Sequence, residues 1–147
     1  MSEYENRNKK EKIAGKLKSM AHSFKPLCMS YGKYTPEQII YALTPDNQIK
    51  DDHKLTIPSL YLAWTRTPDI LDIVIKNRYS KLKVLNIGGS HIASVEILTQ
   101  LDAPELSEIW AWNNDITEIK SLRKCNFRNM KVLDMNTNKI IGNSEIR

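Results

Sequence analysis

The chain has 147 residues, 41% hydrophobic and 27% charged, with 22 Lys and Arg against 17 Asp and Glu for a net charge of +5. This length accommodates one ordinary domain with a real core, and two cysteines are too few for a disulfide framework. No apolar run approaches the ~18 residues that cross a bilayer, and an N-terminus carrying Glu3, Glu5 and Glu11 without an apolar core fits neither a secretory signal nor a transit peptide. The expected location is cytoplasmic or nuclear.

Residues 1–25 form a basic, amphipathic N-terminal tail or helix. Arg7, Lys9, Lys10, Lys12, Lys16 and Lys18 outnumber its three acids, so this segment supplies most of the net charge. Ile13, Leu17, Met20, Ala21 and Phe24 share one helical face. Gly15 weakens the helix by ~1 kcal/mol, and Pro26 ends it. Residues 26–56 read as a helical cap and connection. Within it, Thr35-Pro36-Glu37-Gln38 signals a second helix: Thr35 caps, Pro36 suits the first helical position and Gln38 closes a capping box. Ile39, Ile40 and Leu43 supply its apolar side. Residues 44–56 are a polar connection. A third helix is expected after Thr67, opened by Pro68 and Asp69, running through Leu71 and Val74 toward Ser80.

Beyond this point the chain repeats. Leu82-Lys-Val-Leu85-Asn-Ile87-Gly-Gly-Ser90-His-Ile92 is followed by Leu106-Ser-Glu-Ile109-Trp-Ala111-Trp-Asn-Asn114-Asp-Ile116. Met130-Lys-Val-Leu133-Asp-Met135-Asn-Thr-Asn138-Lys-Ile140 comes third, each unit starting 24 residues after the last. Val74, Leu98, Leu122 and Ile146 keep the same interval, as do Leu71, Val95 and Ile119, with Asn143 breaking that series. A weaker unit precedes them: Ser59 and Ala63-Trp64 return 48 residues later as Ser107 and Ala111-Trp112. A fixed period of this size predicts stacked units burying a shared core.

The L-x-x-L-x-L-x-x-N-x-I pattern is similar to the leucine-rich repeat. The resemblance covers residues 57–147 as four repeats, the first degenerate and the last incomplete. It implies an α/β leucine-rich-repeat solenoid: a short parallel sheet backed by helices or turns, under an N-terminal helical cap. It also implies that Asn114 and Asn138 bond the backbone of adjacent turns as a ladder, with Ser90 as a weaker rung. Cys125 occupies the position of Leu101 and reads as a small buried apolar residue.

Strand alternation sends Leu85, Ile87, Ile109, Ala111, Leu133 and Met135 inward. The outward set, unit by unit, is Leu60, Leu62, Trp64; Val84, Asn86, Gly88; Glu108, Trp110, Trp112; and Val132, Asp134, Asn136. From it come the expected protein-binding residues: Trp64, Asn86, Gly88, Glu108, Trp110, Trp112, Asp134 and Asn136. Tryptophan is the residue most enriched at binding hot spots. On this reading Trp64, Gly88 and Trp112 are equivalent, so two rings stand roughly 9–10 Å apart across a glycine, at ~4.8 Å per strand. That gap suits an Arg guanidinium, an apolar side chain or a nucleobase. The competing reading buries Trp64 beneath the N-terminal helix.

The tail lysines and Arg7 have three readings: a solvated face, contact with RNA phosphate, or attachment to an acidic protein or membrane surface, with membrane the least favoured. A second basic group, Lys120, Arg123, Lys124, Arg128 and Lys131, lies around the last return limb. Its register neighbours include Glu96, Asp102 and Glu105, so a continuous phosphate track is not expected. The strand edge at residues 130–136 is expected to be open and capped by another chain.

No catalytic constellation is evident. His22, His53 and His91 are scattered, metal-type Cys spacing is missing, and no phosphate-binding glycine motif occurs. Asp51-Asp52-His53 sits in a polar connection, and Glu108 and Asp134 read as recognition contacts. The expectation is a non-enzymatic chain without metal or cofactor. It binds a protein partner within a larger assembly, or serves as a structural ribonucleoprotein component, ribosome-associated for example, whose tail contacts RNA.

Overall fold

The computed structural model describes residues 2–21, 34–35, 38–39, 42, 58–75 and 79–141. It is a mixed α/β structure around one four-stranded parallel sheet, β1 (Ser59–Tyr61), β2 (Val84–Asn86), β3 (Glu108–Trp110) and β4 (Val132–Asp134), in the order β1-β2-β3-β4. Helix α1 (Glu3–Ala21) precedes the sheet, and α2 (Ile70–Ile75) joins β1 to β2. Two five-residue 3-10 turns, Glu96–Gln100 and Lys120–Lys124, make the next two returns.

Local chemistry accounts for these elements. Ser2 Oγ accepts the Glu5 N–H at 3.2 Å, and Glu3 and Glu5 complement the dipole of α1. Its Leu17 and Ala14 are buried, Ile13 is partly so, and α1 packs against β1. The capping box at Thr35 forms as expected. The Thr35 N–H donates to Gln38 Oε1 at 2.9 Å and the Gln38 N–H to Thr35 Oγ1 at 3.2 Å. Ile39 is buried beside it, while Ile40, Leu43, Phe24 and Cys28 lie outside the described residues.

The 24-residue interval of the sequence is the register of the sheet from β2 onward: Val84 pairs with Glu108 and Glu108 with Val132. Between β1 and β2 the interval is 25, because Ser59 pairs with Val84 and Leu60 with Leu85. The return limb explains the extra residue. It contains α-helix where later limbs use 3-10 turns, and an α-helix rises ~1.5 Å per residue against ~2.0 Å. The loop bonds follow the same shift. Trp64, Gly89 and Asn113 donate their N–H to the carbonyls of Gly88, Trp112 and Asn136, and all three have positive φ, as does Thr137.

This corrects the outward set of the first strand. Leu60 and Leu62 face the core, 1% and 0% exposed, and Tyr61 takes the outward place. Side chains turn over with every one-residue slip, so an interval of 48 assigned this strand to the wrong face. The inward residues of the middle strands, Leu85, Ile87, Ile109 and Ala111, are fully buried. Leu133, in phase with them, is 42% exposed because β4 has no further strand beside it among the described residues.

A polar column holds the turns after the strands. Asn114 Oδ1 accepts the N–H groups of Ser90 and Ile92 at 2.9 and 3.1 Å, and its amide donates to Ile87, Ala111 and Trp112 carbonyls. Asn138 repeats the arrangement toward Ile116 and Ala111. Ser90 continues the column by accepting from Thr65 Oγ1 at 2.8 Å. Thr65 is thus the first rung, and the 25-residue step places it there. Replacing Asn114 with Ala orphans two backbone N–H groups in a buried site. We expect a loss of about 2–4 kcal/mol in urea unfolding at unchanged m-value.

Candidate functional site

The face of the sheet turned away from the core carries two side-chain rows across the strands. One is Ser59, Val84, Glu108 and Val132; the other is Tyr61, Asn86, Trp110 and Asp134. Apart from the buried Ser59, these residues are half-buried. Tyr61 joins the second row because of the one-residue slip. Its signal was the pair of inward leucines, since Leu60-Tyr61-Leu62 matches Leu85-Asn86-Ile87 once one inserted residue is allowed.

Trp110 lies centrally in its row. Its indole N–H donates to Glu108 Oε1 at 3.2 Å, which fixes the carboxylate along the ring edge. Asp134 is its register partner on β4. Asn86 Oδ1 and Asp134 Oδ1 each accept the N–H two residues on, from Gly88 and Asn136, at 3.1 and 2.9 Å. Their side chains are thereby held at the strand ends by local turns. The structure therefore brings Asn86, Glu108, Trp110 and Asp134 together, as expected, with exposed Asn136 following on the chain.

The other two tryptophans are arranged differently from expectation. Trp64 is equivalent to Gly89, not to Gly88, and the two rings are in edge contact, with centroids 5.1 Å apart and planes at 64°. There is no ring-sized gap between them. A Cβ on Gly88 would lie 2.4 Å from Trp112 Cε2, and one on Gly89 would lie 2.4 Å from Trp64 Cε3. Each glycine is the floor of one indole. Gly89, at φ +63°, also needs the left-handed backbone that glycine adopts without strain. The aromatic pair is a packed lid on the turn, worth ~0.5–1.5 kcal/mol beyond area burial, and both rings remain half-buried.

On the flank, His91 Nδ1 and Lys139 Nζ approach the two oxygens of Asp115 at 3.6 and 3.0 Å. The Lys139 hydrogen bond and charge, then His91, hold the Asp115 carboxyl below its ordinary value. Cys125 is half-buried, with burial pushing its thiol up, and packs against the core, so it is less enclosed than expected. The side chains of Arg7, Lys9, Lys10, Lys12 and Lys16 are exposed along α1, while that of Lys18 lies outside the described residues. Lys120, Arg123, Lys124, Arg128 and Lys131 are also exposed. Among the described residues no group of three His, Cys, Asp or Glu is placed to hold a metal ion, and no helix is long and apolar enough to cross a membrane. No family model, curated protein or solved structure matches the chain.

Two outcomes are expected. Gly88→Ala forces Trp112 off its floor, costing about 1–3 kcal/mol and weakening the near-ultraviolet circular dichroism of the paired indoles. For Asp115, a depressed folded-state pKa means that its contribution is present above about pH 4 and lost as pH falls through the folded value. Asp115→Asn should therefore lower stability at neutral pH and reduce the dependence of Tm on pH at the acid end.

Proposed function

We propose that the chain is a short leucine-rich-repeat solenoid that acts as a non-catalytic interaction module, binding a protein partner through the sheet face that carries Trp110. The 24-residue strand interval and the side-chain column of Ser90, Asn114 and Asn138 support the repeat reading. The observation that carries the functional reading is the combination of Trp110 with Glu108 and Asp134, all half-buried, on the sheet face turned away from the core. An aromatic anchor set among polar groups is the usual composition of a binding hot spot. Trp64 and Trp112 act here by shaping the adjoining turn rather than by clasping a ligand between them.

The edge of β4 supports a second contact within a larger assembly. Each inner strand gives its turn donors to the next strand, as Ala111 N–H does to Asp134 O at 2.8 Å. β4 has no such neighbour among the described residues, and Leu133 and Ile141 are exposed there at 42% and 75%. Another chain adding a parallel strand would meet both needs. The exposed cations of α1 favour the alternative reading, a ribonucleoprotein component with α1 on RNA phosphate.

Purification from native lysate, followed by sizing with and without RNase and with Trp110→Ala, tests these readings. The protein-binding reading expects a complex that survives RNase and moderate salt and weakens at least tenfold with Trp110→Ala. Collapse on RNase treatment with no effect of Trp110→Ala would overturn it in favour of RNA.

A further inference from the structure

The Trp110 face has a charge of its own. The chain is basic overall, yet the face carries Glu108 and Asp134 and no lysine or arginine in either of its two rows. Among the described residues the cations lie outside these rows: on α1, around the last return limb, and in the loops at Arg66, Lys81, Lys83 and Lys139. The two carboxylates flank one indole, Glu108 from the same strand and Asp134 from the next. Glu108 uses Oε1 for the indole and Asp134 uses Oδ1 for the Asn136 N–H. Among the described residues neither Glu108 nor Asp134 has an ion-pair partner.

From this geometry we infer that the face takes an extended peptide bearing arginine, with one guanidinium laid over the Trp110 indole between Glu108 and Asp134. The inference rests on the protein-binding reading and names the chemistry of its partner. A planar cation is attracted to an indole face, and a carboxylate bonded to the indole N–H adds negative potential at that ring. The guanidinium fork supplies donors in directions that meet both carboxylates, whereas a lysine ammonium is a single, more strongly hydrated point. Four strands at ~4.8 Å spacing make a wall that four or five extended residues at ~3.3 Å span. A phosphate-rich ligand is repelled here, which separates this face from any role of α1 toward RNA.

The test uses the full chain labelled with 15N at the indoles. Three tryptophans give three indole signals, and W110F assigns that of Trp110. The probe is the hexapeptide Gly-Arg-Gly-Arg-Gly-Arg, compared with versions carrying Gln, Lys or Glu for Arg. The expected result is a saturable shift of the Trp110 signal with the Arg peptide. The Gln peptide binds about tenfold more weakly or less, and E108Q/D134N loses about tenfold. These isosteric changes leave the fold intact, so a loss reports charge. An equal response to the Gln or Glu peptide, or an unaffected double variant, overturns the proposal. So does a shift produced by raising the protein concentration alone, which assigns the face to a second copy. If the Arg peptide is silent while W110A still weakens the native complex, the arginine inference fails and the protein-binding reading stands. If W110A leaves the native complex unchanged, the underlying reading fails as well.

Discussion

The structure depends on one constraint: backbone groups buried at the turns that follow the strands must find partners. The inner turns leave N–H and carbonyl groups facing inward where water does not reach, and the last turn leaves its own part-buried. A single column of side chains, Thr65, Ser90, Asn114 and Asn138, answers them. Asparagine is the efficient residue for this because one amide both accepts and donates. Asn114 makes five such bonds, serving its own turn and the preceding one. The hydroxyls of Ser90 and Thr65 reach less far, and they stand where the α2 return limb changes the spacing. With the turns pinned, successive strands stay in register, and the faces of the sheet become defined surfaces.

That register determines how each aromatic residue behaves. Trp110 projects from the middle of β3 and is oriented by Glu108. Trp64 and Trp112 stand past the strand ends, where the backbone has already turned, and their rings fold down onto Gly88 and Gly89. Equal side chains thus serve different ends: one indole on the strand presents a surface, and two on the turn close over a core edge. The left-handed positions tell the same story. Gly89 and Asn113 suit positive φ, whereas Trp64 and Thr137 adopt it at a cost in backbone strain.

Much of this was legible in the residues. The interval of 24 is the strand register, the reciprocal bonds of Thr35 and Gln38 form, and the ladder positions of Ser90, Asn114 and Asn138 hold. The first unit departs from the expected register by one position. The recurrence of Ala-Trp at 63–64 and 111–112 outweighed the alternation of Leu60 and Leu62, although alternation carries the packing and a shared dipeptide does not. Tyr61 and Thr65 were lost by that same step. The closed Trp64–Trp112 pair was lost as well, since the expected gap existed only in the wrong register. The exposure of Leu133 follows from the open edge expected at residues 130–136, not from the inward direction that the repeat pattern assigns it. Periodicity states which way a side chain points, but burial needs a neighbour on the far side.

The sequence by itself determined the parallel pairing of its last three strands and the side chains that bond their turns, because a fixed interval and obligatory backbone hydrogen bonding leave few alternatives. It also determined which residues alternate across each clear strand. Only the tertiary structure decided that the first return limb takes one residue more and that two indoles meet over paired glycines. These depend on the helical rise of a connecting limb and on contacts between side chains of different strands. Such quantities are set by packing in three dimensions and have no counterpart in the spacing of letters along a chain.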